Sequence, residues 1–417
     1  MNLVKIILTL ILVVCLSGCQ GNNSTPGVTK ITFWHGINPP ENRDVFEQLL
    51  ADFNNNHTDI QVEAIYIGQP DQQLPKIISA VVGNQPPDLL WYVPQLTGKL
   101  VELGAIKPLE DWLETSSIKP EIVPTMFTTM ELDEHLWSIP FATNNAAIFY
   151  RPSLFAQAGI TKLPETWSEL KEVATKLTKD VDNDGKIDQH GLLLSLGTGE
   201  WTVFTWLPFI YSADGDLLID NQPQLVNPGT IKALEFGKEL IDSGVAILSP
   251  PERGYELDQF ISGKVAMQIT GPWTLGQLNQ IGIDYDAFPI PKLATKAAVL
   301  GGENVFLFKT NPTREAAAIE FLEYILSTEF QTKWALETGY LPINIKAEQS
   351  ESYQAFVNEN PILKVFITQM DWARSRPLIS NYTILSENLG RAIESSWLGK
   401  SSPTASLEAS QKRLEGS

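Results

Sequence analysis

The chain is short of cysteine. Among 417 residues there are two, Cys15 and Cys19, both near the start. A bridge between them would enclose no folded segment, so the body of the protein is expected to fold without disulfides. Histidine is scarce too, with four residues at 35, 57, 135 and 190 and no H-x-x-x-H pair, which removes a helical zinc site of that type. Neither a G-x-S-x-G elbow nor a G-x-G-x-x-G stretch occurs, so the acyl-transfer and dinucleotide signatures are missing. Gly399-Lys400-Ser401 has the ending of a P-loop, but Glu394 stands where its first glycine belongs. Positive charge is in deficit, with 30 Lys and Arg against 49 Asp and Glu and a formal net charge of −19. Nucleic acid is therefore excluded as a partner, since phosphate backbones need clustered cations. Paired carboxylates for glycoside hydrolysis are not excluded by so many acids.

Long apolar runs are also rare. One opens the chain: Lys5 precedes Ile6 to Leu16, which is apolar apart from Thr9. This is short for a membrane span and has the length of a signal-peptide core. It ends in Leu16-Ser17-Gly18-Cys19, which resembles the bacterial lipobox. That resemblance implies a signal peptide over 1–18 and a lipid on Cys19. Residues 19–27 are polar and unpatterned and read as a flexible tether.

What is abundant is aromatic: eleven Trp, ten Tyr and 18 Phe. Such faces suit sugar rings, and they also fill cores. The length exceeds one compact core and predicts two lobes. Strands are predicted at 30–34, 60–67, 88–93, 146–150, 191–196, 265–269 and 304–308 from alternation or short apolar runs. Helices are predicted over 41–54, from about Leu74 to Val81, after the capping box Thr166-Trp-Ser-Glu169, from Trp201, over 231–243, and over 313–327 with Thr313 as N-cap. Strand and helix alternate, so the class is α/β with βαβ units.

One loop has metal-ligand spacing. "DVDNDGKIDQHG" (180–191) puts Asp180, Asp182, Asp184 and Asp188 at loop positions 1, 3, 5 and 9, with the Lys186 carbonyl at 7. That is the oxygen spacing of an EF-hand-type loop, but Gly191 replaces the closing Glu. It reads either as a weak structural calcium site or as a solvated turn. No other cofactor is called for.

Four stretches then combine: "LPETWSELKEVATKL" (163–177), "FISGKVAMQITGPW" (260–273), "LGGENVFLF" (300–308) and "AAIEFLEYILSTEFQTKWALETGYLPIN" (317–344). Together they resemble the extracellular sugar-binding proteins of ABC importers, of which the maltose-binding type is best known. The resemblance runs from about residue 28 to the end. It implies the two-lobe periplasmic-binding-protein-like fold (type II), hinged, with a ligand cleft between the lobes. Lobe one is expected over 28–139 plus 290–327 and lobe two over 140–289 plus 328–417, with crossings near Ile139-Pro140, Pro289–Pro291 and Ser327.

The same resemblance, with the rule that ligands sit beyond the carboxyl ends of strands, implies a set of ligand contacts. These are Trp34, His35, Asn38, Asp88, Trp91, Asn144, Asn145, Trp201, Trp273, Gly302, Glu303, Arg374, Arg376 and Tyr382. Several have a plainer reading: Asp88 could cap the turn after Pro86-Pro87, and Arg374 and Arg376 could form surface ion pairs. Pro94, Asn144 and Asn145 stand where some sugar binders carry acids. The implied function is capture of a sugar, oligosaccharide or sugar derivative by a monomeric, lipid-anchored envelope protein that passes it to an ABC permease, without catalysis. Two rivals stay open: the same fold binding glycerol-3-phosphate or another anion, and an extracytoplasmic glycoside-degrading enzyme.

Overall fold

The computed structural model describes residues 27–416 apart from 69, 197–198 and 251–256. The signal segment, Cys19 and all of the tether but Gly27 lie outside the described residues. Among the described residues no helix is long and apolar enough to cross a membrane.

β1 (Thr29–His35) leads into α1 (Pro40–Asn56), followed by β2 (Ile60–Tyr66), β3 (Leu89–Tyr92) and the short β4 (Ile139–Pro140). Next come β5 (Ala147–Tyr150), α2 (Trp167–Leu177), β6 (His190–Leu194), α3 (Glu200–Ser212), α4 (Pro228–Asp242), β7 (Ala246–Leu248), β8 (Val265–Thr270) and β9 (Asp286–Phe288). β10 (Asn304–Leu307), α5 (Pro312–Leu326) and α6 (Thr328–Thr338) follow, and α7 (Tyr382–Trp397) and α8 (Pro403–Glu415) close the chain. The strands form two five-stranded sheets, in the orders β2-β1-β3-β10-β4 and β7-β6-β8-β5-β9. In each, three neighbours are parallel and the remaining pairings antiparallel. This is the α/β, two-sheet architecture that the alternation predicts.

Local chemistry explains the helices that frame the cleft. α1 starts on Pro40, whose missing N–H costs nothing in the first turn, and buries Val45, Phe46, Leu49, Leu50 and Phe53 on one stripe. Glu169 N–H donates to Thr166 Oγ1 at 3.3 Å and Thr166 N–H to Glu169 Oε2 at 3.1 Å, so the capping box forms. α5 begins earlier than expected: the cap is Asn311, which accepts from Arg314 N–H at 3.1 Å, not Thr313. Asparagine caps better than threonine, and Pro312 suits the first helical position. Every residue of α3 from Thr202 to Ser212 is buried. A helix apolar all round belongs in a core, so the position of its first turn is tightly fixed.

The two sheets build separate cores. Phe33, Phe46, Leu89, Ile139, Val305 and Phe321 pack around the first, and Ile148, Leu192, Phe209, Leu234, Met267 and Leu389 around the second. Two boundaries fall elsewhere than expected. Ile290, Ala297 and Val299 pack in the second core, and the first resumes at Leu300. Ser327 is no crossing. Its Oγ caps α6 by accepting from Phe330 N–H at 3.2 Å, and α6 buries Phe330 and Trp334 in the first core. The chain passes to the second body after α6, where Tyr353 and Phe366 pack on Phe149 and Leu193.

Candidate ligand-binding cleft

A cavity of about 270 Å³ opens between the two cores, just under the range of ordinary small-molecule sites, roughly 300–1,000 Å³. Its walls come from the ends of strands and the turns after them: Trp91 and Val93 from β3, Gln268 and Thr270 from β8, and Glu200, Trp201 and Phe204 from the first turns of α3. Three connecting segments supply Asn144, Gly301 to Glu303, and Tyr340.

Trp273 sits at the junction and packs against both cores. Its ring stands edge-on to Trp201, with centroids 5.8 Å apart and planes at 76°, and is tilted to Phe204 and Tyr340 at 6.5 Å each. Gly271 makes this possible. A Cβ there would lie 2.0 Å from the indole ring, so the G-P-W sequence folds the ring back over its own backbone. Gly302 is fixed by a second requirement. Its φ is +105° and a Cβ would lie 2.2 Å from the Ala142 carbonyl, a conformation and an approach open to glycine alone. Opposite, Trp91 is 4% exposed and its Nε1 has no hydrogen-bond partner; neither does Gln268 Oε1, in a residue 2% exposed. Buried polar atoms are normally paired; these two belong to residues that line the cavity.

The charged groups of the lining are Glu200, Glu303 and Arg376. Arg376 is 3% exposed and forms an ion pair with Glu200. Glu200 Oε1 also accepts from Tyr382 Oη at 2.8 Å, and Oε2 accepts from Ser386 Oγ. Burial opposes the charge on Arg376, but the Glu200 carboxylate outweighs it and holds its pKa above the ordinary value. Burial, then Glu200, pushes the Tyr382 phenol well up. Burial followed by Glu303 does the same to Tyr340. Both phenols are therefore neutral donors at physiological pH.

Of the fourteen expected contacts, Asn38, Trp91, Asn144, Trp201, Trp273, Gly302, Glu303 and Arg376 line the cavity. The others do not. Trp34 packs on the far side of the first sheet with the cluster of Leu90, Leu96 and Phe306. His35 is 2% exposed among Phe33, Phe46 and Tyr66; burial and then Arg43 lower its pKa to about 4, so it stays neutral. Asp88 is corrected most clearly. It accepts from Thr32 N–H at 2.7 Å and Thr32 Oγ1 at 3.1 Å and pairs with Arg314. It precedes β3, at the end of the sheet away from the cleft. Asn145 donates to the Phe366 carbonyl at 2.9 Å and accepts from Gln369 Nε2 at 2.6 Å, which ties β5 to the helix beneath it. Arg374 pairs with Asp216 and lies over the Tyr211 ring at 4.2 Å, in a separate depression. Tyr382 stands behind the lining and holds Glu200.

Glu200, Phe204, Gln268 and Tyr340 were not among the expected contacts. Gln268 carried a signal, as a polar residue inside the apolar strand "VAMQI". Tyr340 lies within the stretch 317–344 that carries the family resemblance. In the aspartate loop, oxygens of Asp180, Asp182 and Asp188 lie within 4.8 Å of one another. Asp184 turns away: its carboxylate accepts from Lys186 N–H at 2.8 Å and faces Lys186 Nζ at 3.2 Å.

Two α/β bodies joined by three crossings, with an aromatic cavity at their junction, define a ligand-binding protein of the hinged, two-lobe class. Residues 48–364 match the family of bacterial extracellular solute-binding proteins, and the chain belongs to that family. It is 25% identical over 329 residues to the maltotriose-binding protein of Pyrococcus abyssi, covering 76% of this chain and 67% of that one. It is 24% identical over 422 residues to the sn-glycerol-3-phosphate-binding periplasmic protein UgpB of Pectobacterium atrosepticum, covering 96% and 93%. The fold matches that of an ABC transporter solute-binding protein from Thermotoga lettingae solved with alpha-D-tagatose, with a TM-score of 0.82, 23% identity, and 93% and 98% of the two chains covered.

Proposed function

We propose that this protein captures a sugar or short oligosaccharide and delivers it to an ABC permease, without catalysis. The observation that carries the reading is the ring of Trp91, Trp201, Trp273 and Tyr340 around one cavity between the cores. A pyranose has apolar C–H faces and a rim of hydroxyls. Aromatic faces suit the former, and the polar lining residues Asn144, Gln268 and Glu303 suit the latter. Hydrogen bonds to a charged group are roughly twice as strong as neutral ones. A few stacks and charge-assisted bonds reach micromolar affinity, about 8 kcal/mol. The solute-binding relatives support this reading. The Leu16-Ser17-Gly18-Cys19 stretch supports an acylated anchor at the bacterial envelope, which incorporation of labelled palmitate into wild-type but not Cys19→Ala protein would reveal.

Isothermal titration against a panel of neutral mono-, di- and trisaccharides tests the main claim. Binding in the micromolar range, with each sugar recovered uncleaved, is expected. Cleavage products would favour the glycosidase reading, and no binding across the panel would refute the sugar assignment.

A further inference from the structure

The cleft contains an arginine, yet the arginine is already neutralised. Arg376 is paired with Glu200, and both Glu200 oxygens are engaged by Arg376, Tyr382 and Ser386. Glu200 also occupies the first turn of α3, a thirteen-residue helix whose N-cap, Gly199, has no side chain to offer. The positive end of that helix would otherwise attract an anion. One carboxylate thus cancels the two features that could hold a phosphate. The second arginine expected here, Arg374, is drawn off by Asp216 and Tyr211. With Glu303 the described lining has one net negative charge, and it includes no lysine.

We propose that Glu200 is the charge-specificity determinant of this cleft. By neutralising Arg376 and the start of α3, it makes the site reject phosphate-bearing ligands and select uncharged ones. The inference rests on the sugar-binding reading and narrows it. An anion entering would lose its hydration against a wall of its own sign, with no unpaired cation among the described lining residues to compensate. Glu200 is not expected to contact the ligand strongly itself, since its oxygens are committed; it positions Arg376 and sets the local charge.

The test compares neutral mono- and disaccharides with sn-glycerol 3-phosphate and glucose 6-phosphate by isothermal titration, in wild-type protein and in Glu200→Gln. Wild type should bind at least one neutral sugar and bind either phosphate at least a hundredfold more weakly. Glu200→Gln should raise affinity for sn-glycerol 3-phosphate at least tenfold. Glu303→Gln, which leaves the buried pair intact, should raise it at least threefold and serves should the first variant not fold. Phosphate binding by wild type as tight as that of the neutral sugars would overturn the inference while leaving sugar binding standing. So would folded variants that gain no phosphate affinity. Absence of any neutral-sugar binding refutes the sugar reading instead, and the variants still decide the role of Glu200.

Discussion

Replacing Trp273 with alanine asks whether the junction aromatic binds ligand or only fills space. The indole is half-buried and touches Trp201, Phe204 and Tyr340 edge-on or tilted, so part of its face remains available. If a sugar covers ~50 Å² of that face, burial at ~25 cal/mol per Å² contributes about 1.2 kcal/mol. The aromatic contact adds about 1 kcal/mol. The loss of roughly 2 kcal/mol corresponds to about thirtyfold weaker binding. A fully buried tryptophan truncated to alanine costs about 3–5 kcal/mol of stability; at a half-buried position the cost should be about half that, which a domain of ordinary stability survives. Titration calorimetry with the best sugar of the panel, beside a thermal melt, separates the two effects. Trp273→Phe should recover part of the affinity. A folded Trp273→Ala protein that binds within twofold of wild type would refute the assigned site.

Asp88→Ala should lower stability by about 2 kcal/mol, because it strips the Thr32 amide and Arg314 of a buried carboxylate, and leave sugar affinity within twofold; a specific loss of affinity in a stable variant would restore Asp88 to the site. Glu348, on the short helix Ile345–Gln349, has its pKa raised by burial to about 7. The folded state then holds that proton more tightly than the unfolded chain. The contribution is full below about pH 4.5 and is lost as pH rises toward 7, by a fraction of the ~1.4 kcal/mol per pH unit limit because the group is partly solvated. Stability measured at pH 5 and at pH 7.5 should fall less in Glu348→Gln than in wild type; parallel profiles would refute it. For the aspartate loop we propose weak calcium binding, supported by the three carboxylates that approach within 4.8 Å. Millimolar calcium should raise the melting temperature of wild type but not of Asp180→Asn/Asp188→Asn, and a calcium-independent melt would refute it.

What the sequence made legible was local. Two rounds of strand and helix and the Thr166–Glu169 box each depend on neighbours within a few residues, and the structure contains both. What stayed hidden depends on partners far along the chain. Asp88 reads from its neighbours as a ligand contact or a turn cap, but its partners are Thr32 and Arg314, 56 and 226 positions away. The two arginines were indistinguishable as types. Two residues apart, they would share a face in a continuing strand. The strand pairing Ala298–Val299 with Ala373–Arg374 stops at Arg374, so Arg374 turns to Asp216 and Arg376 to the cleft. Glu200 has no local signal, because its value comes from Tyr382 and Ser386, some 180 positions on.

The crossings themselves line the cleft, and this links binding to motion. Thr143 exchanges backbone hydrogen bonds with Leu341 at 3.2 and 3.0 Å, and Asn144 does so with Gly301 at 3.3 and 2.8 Å. The first crossing is therefore stitched to the other two, and the side chain of Asn144, the backbone at Gly301–Gly302 and the ring of Tyr340 form part of the cavity wall. A ligand resting on all three touches the segments whose backbone angles must change when the lobes rotate. It can shift the balance of open and closed forms only by binding one of them more tightly. Trp273 packs against both cores, so a ligand that contacts it touches a side chain shared by the two lobes. Several lining residues are thus themselves crossing residues, and a ligand held by them would need no separate relay from site to hinge.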